Sequence, residues 1–169
     1  MKRVLLAASA ALMIGSIASP ALAQVVADDD ATASITILAP ITVTKDTDLQ
    51  LGSIVVSGAG SYQLAGNGTV TDTAGTVDAF AGGVTPAVAT FDITADASAT
   101  YDVDVADDVT LTSGANTLTL STSEAGLVVN GGTGLSGNRT VSVGGRIVFA
   151  GTEPAGTYTG TVNLQAAYN

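Results

Sequence analysis

The chain has 169 residues and a net charge of −10, with no histidine, cysteine or tryptophan, a length that suits one packed domain with its own core. Without His and Cys it lacks the commonest general base, the imidazole metal ligands and the thiol nucleophiles, and its acidity opposes binding to nucleic acid or to an anionic membrane surface. No enzyme activity and no cofactor are expected.

The first 23 residues read as a signal peptide. Lys2 and Arg3 form a basic start, Val4 to Ile17 a mostly apolar run, and Ala21-Leu22-Ala23 a small-x-small site, so cleavage is expected before Gln24. The run is short for a transmembrane helix and no later stretch is apolar enough, so export with no membrane span after cleavage is expected, a retained signal anchor being the alternative. The product would reside in the periplasm, at the cell surface or outside the cell. Residues 24–169 keep Lys45, Arg139 and Arg146 against fifteen acids, a net −12. Without cysteines, stability must come from packing and main-chain pairing. Residues 24–30, with Asp28-Asp29-Asp30, read as a solvated acidic leader, because three adjacent acids cannot all face one calcium ion.

From residue 31 to 169 a single all-β domain is expected. "ATASITILAPITV" places Ala31, Ala33, Ile35, Ile37, Ala39, Ile41 and Val43 on one face. Fully extended, this run spans roughly 43 Å, about twice a usual strand, and Pro40 removes a ladder donor. It therefore divides into segments near 31–38 and 41–45, which need not pair with the same neighbour or the same molecule. Residues 58–86, rich in Gly, Thr and Ala, read as short strands with long exposed loops. "ATFDIT" places Ala89, Phe91 and Ile93 on one face, and "YDVDV" places Tyr101, Val103 and Val105 inward. Asp102, Asp104, Asp107 and Asp108 cluster near a turn, as a hydrated edge or a weak cation site. "VTLTSGANTLTLS" reads as a hairpin about Ser113-Gly114-Ala115-Asn116. "GTGLSG" (132–137) matches a dinucleotide-binding glycine pattern but leads into a strand rather than a helix, so it reads as a flexible loop. "RTVSVGGRIVF" bends or bulges at Gly144-Gly145. "GTYTGTVNLQAAYN" (156–169) alternates to the last residue as one long strand. About seven to nine strands imply an antiparallel two-layer sandwich. Tyr62, Phe80, Phe91, Tyr101, Phe149, Tyr158 and Tyr168 read as core rather than as a ligand platform.

Four stretches, "APITVTKDTDLQLGSI" (39–54), "ATFDIT" (89–94), "VGGRIVF" (143–149) and "AGTYTGTVNLQAAY" (155–168), taken in order, resemble the spore coat protein U and archaic chaperone–usher pilin group. They look closer still to a family of secreted proteobacterial proteins known as domain of unknown function 4402. Leu51-Gly52 stands where such families often show Phe-Gly, and the cysteine pair of many pilins is missing. The resemblance implies an immunoglobulin-like, pilin-like sandwich lacking one strand. It also implies a groove bordered by the C-terminal strand (Tyr158, Gly160, Val162, Leu164, Tyr168), and self-association assisted by a periplasmic chaperone and an outer-membrane usher. In that setting residues 31–38, with Ala31, Ala33, Ile35 and Ile37, serve as the strand donated to another subunit. The same residues serve equally as the first strand of a complete sandwich, in which case the chain is a monomeric surface binding module or an adhesin.

Overall fold

The computed structural model describes residues 28–124 and 126–169. The signal peptide expected at 1–23 and the start of the acidic leader lie outside these residues. The chain divides into two units, Met1–Ile35 and Thr36–Asn169. In the first, the described residues 28–35 carry no strand and are exposed.

Thr36–Asn169 is all-β, and its sheet pairings are antiparallel. A first sheet runs β1 (Thr42–Thr47), β6 (Ala89–Thr94), β12 (Arg139–Val143), β10 (Val128–Val129). A second runs β11 (Gly132–Ser136), β7 (Thr100–Val105), β14 (Leu164–Tyr168). The largest runs β4 (Val70–Asp72), β3 (Gly60–Leu64), β13 (Gly145–Phe149), β9 (Asn116–Ser121), β8 (Asp108–Ser113), and a small pair joins β2 (Ile54–Val56) to β5 (Val77–Ala79). The arrangement is that of a β-sandwich. Among the described residues it has fourteen strands rather than seven to nine, because several are only two or three residues long.

Period-2 alternation sets the inward faces. Ala89, Phe91 and Ile93 of β6, Tyr101, Val103 and Val105 of β7, and Val141 and Val143 of β12 form one core cluster. Tyr62, Leu64, Val77, Val109, Leu111, Leu120, Ile147 and Phe149 form the other. Leu49 and Val162 pack against both.

The hairpin of β8 and β9 closes at Gly114, whose φ of 61° suits the first central position of a two-residue turn. At Gly144 the chain passes from the first sheet into the largest one. A Cβ there would sit 1.9 Å from the Leu64 carbonyl oxygen, so only glycine allows the crossing. The expected bend is thus a change of sheet.

Two expectations are corrected. Residues 132–136 of "GTGLSG" are a strand, β11, which pairs with β7 and holds its bulge by the Gly134 N–H donating to Asp102 Oδ1 at 2.7 Å. Phe80 is 56% exposed, because it sits in the loop after β5 rather than on an inward strand position.

Candidate functional site: an apolar groove with an open backbone edge

The C-terminal run divides its pairing between two sheets. Thr159 exchanges both backbone hydrogen bonds with Thr112 of β8, at 2.8 and 3.0 Å. Four residues later the Asn163 carbonyl accepts from Ala106 N–H, and from Leu164 onward the run pairs with β7. Burial alternates along it: Tyr158, Val162, Leu164, Ala166 and Tyr168 are half-buried, and the odd-numbered positions are exposed. Gly160 takes the remaining inward place. A Cβ there would lie 2.7 Å from both the Thr110 carbonyl oxygen and Leu111 Cδ2, so glycine lets this strand lie close against β8.

Beside this strand opens a groove of about 1130 Å³. Residues 153–162 form one wall and residues 45–56 the other, with Leu111, Leu118, Leu120, Ile147 and Phe149 along the floor. In an extended strand, successive residues turn their N–H and C=O groups to opposite sides. Thr159 faces β8, so Tyr158 and Gly160 face the groove. Among the described residues, no hydrogen bond engages the backbone groups of Tyr158, Gly160 or Val162. Apolar floor and unpaired backbone edge together are what an added β-strand requires.

The opposite wall is held at Gln50, which exchanges hydrogen bonds with Ala87 at 2.8 Å each, and Leu49, Leu51 and Ile54 lean onto the core cluster that contains Leu111, Leu120 and Phe149. Sequence reasoning missed this wall. Its signal was the alternation of Leu49 and Leu51 before Gly52, inside the run 39–54. At the groove's end, the Glu153 carboxylate accepts from Ala150 N–H at 2.6 Å and Gly151 N–H at 2.9 Å. Burial pushes the Glu153 carboxyl up, but the backbone N–H groups around it outweigh that and hold it below the ordinary carboxylate value.

Of the residues assigned to the groove's border, Tyr158, Gly160 and Val162 line it. Leu164 and Tyr168 lie farther along, in β14, against the other core cluster. Residues 28–41 enter no strand, Ala31 and Ala33 are exposed, and Ile35 and Ile37 are 86% and 85% exposed. Asp102 accepts from the Gly134 N–H at the bulge of β11, Asp108 accepts from the Ser121 hydroxyl, and among the described residues no group of three or more His, Cys, Asp or Glu could hold a metal ion. No helix among the described residues is long and apolar enough to cross a membrane.

The family model described as Domain of unknown function (DUF4402) matches residues 41–168. The chain belongs to this family. The matched span begins one residue before β1 and takes in both walls of the groove. No curated protein and no solved structure matches the chain significantly.

Proposed function

We propose that this DUF4402 chain is a non-catalytic, exported structural subunit of pilin or surface-assembly type, which polymerises by β-strand complementation. Residues 31–38 of one copy enter the groove of another, between residues 45–56 and 153–162. The observation that carries this reading is the groove itself, where an unpaired backbone edge at Tyr158, Gly160 and Val162 runs beside an apolar floor. Two isoleucines at alternate positions, almost wholly exposed, complement it.

The energetics favour a firm joint. Burying Ile35 and Ile37 would contribute about 1.5–3 kcal/mol each, and each ladder hydrogen bond about 0.5–1.5 kcal/mol net. These gains must exceed the cost of ordering the arm and of bringing two chains together. The likeness to the spore coat protein U and archaic pilin group supports the same mechanism. It also supports a periplasmic chaperone that occupies the groove before assembly and an outer-membrane usher that exchanges it.

The test is the double change Ile35→Asp, Ile37→Asp in the full chain. Polymer ladders that survive mild detergent should disappear while export continues, since a charged side chain would be buried without a partner. Ladders of unchanged length would refute the donor assignment. A wild-type chain that runs as a stable monomer would instead favour a self-contained binding module.

A further inference from the structure

The penultimate residue has a polar role that core packing does not require. Tyr168 ends β14 opposite Tyr101 of β7, and the next residue is still paired, with Asn169 N–H donating to the Thr100 carbonyl at 3.0 Å. The ring packs on the core cluster that contains Phe91, Tyr101 and Val141. Its hydroxyl accepts from Asp96 N–H at 2.7 Å, in the loop between β6 and β7, and donates to the Ala39 carbonyl oxygen at 2.9 Å, 129 residues away in sequence. Asp96 completes the ring of hydrogen bonds. Its Oδ2 accepts from Ala39 N–H at 3.3 Å, while Oδ1 accepts from the Ser98 N–H at 2.9 Å and the Ser98 hydroxyl at 2.6 Å.

Both backbone groups of Ala39 are therefore held, one by the C-terminal strand and one by the β6–β7 loop. Pro40 adds to this, since it has no N–H and biases the preceding residue toward extended backbone. Ile41 then packs on the core. Rotation about the root of the segment is thus blocked at Ala39, and free movement can begin only at Leu38 or earlier.

We infer that the Tyr168 hydroxyl and Asp96 form a clasp on Ala39, which fixes the root of residues 31–38 and so sets the direction in which that segment is presented to a second copy of the chain. The inference rests on the donor reading for its purpose, but the clasp can be measured without any assembly. Tyr168 is on this account a positioning residue: it touches neither the groove nor the donated side chains.

Removing one hydroxyl opens the clasp while keeping the ring. Residue-resolved hydrogen exchange on the Tyr168→Phe chain should show the Asp96 and Ala39 amides exchanging about tenfold faster, with Gln165 and Val103 unchanged, because each amide opens against the interactions that hold its own segment. A second readout uses the absence of cysteine in the chain. Spin labels at Thr36→Cys and Thr119→Cys, placed in an Ile35→Asp/Ile37→Asp background to prevent polymerisation, report the distance between arm root and body. Tyr168→Phe should about double the width of that distance distribution, and Asp96→Ala, which leaves the tyrosine in place, should broaden it as well. Tyr158→Phe, which removes only a hydroxyl donated to the Pro154 carbonyl, should not. Unaltered exchange at both amides, or an unaltered width in both variants, would overturn the clasp. Failure of the donor reading would show instead as ladders that survive the two Ile→Asp changes, whatever the width does.

Discussion

At the scale of single residues, close approach of backbones decides more than charge does. Gly144 and Gly160 are both places where a side chain would meet a backbone carbonyl oxygen at a distance no real Cβ adopts. The Gly144 case is the more severe, because the obstacle is the Leu64 carbonyl at 1.9 Å, next to strand β3 with its fully buried Leu64 and Tyr62. Gly144→Ala should therefore cost about 3 kcal/mol or more, at the upper end of what overpacking does. Urea unfolding of the full chain would show it as a lowered midpoint with an unchanged slope. A midpoint within error of wild type would mean that the crossing at Gly144 can shift away from β3 freely. The "VGG" in the sequence signals some irregularity there, but only the fold tells a bulge from a passage between sheets.

At the scale of elements, the sequence speaks most clearly where one face is buried for the whole length of a strand. β6, β7 and the β8–β9 hairpin are legible for that reason, since Phe91, Val103 and Leu111 each have a buried neighbour two residues away. The C-terminal run is legible as extended chain but not as two pairings: its alternation passes unbroken from the bridge with β8 to the ladder with β7, because side chains keep the same inward face while the hydrogen-bond partner changes. The strand β11 hides behind its glycines, which look like a loop until Asp102 is seen to hold the bulge. The part of the groove's far wall between β1 and β2 was obscured because its pairing is an isolated bridge at Gln50 rather than a ladder. Glu153 shows how the loop leading to the other wall is fixed. A carboxyl whose folded value lies below its ordinary one adds stability above the ordinary value, and that contribution fades as pH falls through the folded value. The melting temperature of Glu153→Gln should accordingly lie below that of wild type at pH 7, with the gap closing as the pH falls below the ordinary carboxylate range. A gap of the same size at every pH would mean that ionisation of Glu153 adds nothing to stability, and no gap at pH 7 would mean that the amide holds the Ala150 and Gly151 N–H groups equally well.

At the scale of the whole molecule, the strand complementation proposed above would have to overcome the chain's own charge. Residues 28–169 hold three basic residues against fifteen acids, a net −12, so every copy repels every other on approach. The attractive part of the joint is different in kind: apolar side chains and main-chain hydrogen bonds, neither of which salt screens appreciably. Repulsion between exposed charges is screened, over about 10 Å at 0.1 M salt and about 3 Å at 1 M. Raising sodium chloride from about 0.02 to about 0.5 M, spanning much of that screening range, should therefore speed polymer growth several-fold in light scattering by the purified chain. It should also leave the detergent resistance of finished ladders nearly unchanged, because the joint once formed is buried. The opposite trend has a specific meaning. Lys45, ion-paired with Asp48, is the basic side chain on the groove wall, and Asp28-Asp29-Asp30 immediately precede the proposed donor segment. Growth that slows with salt would show that pairing between these charges guides the arm into place, and that attraction rather than repulsion governs the encounter.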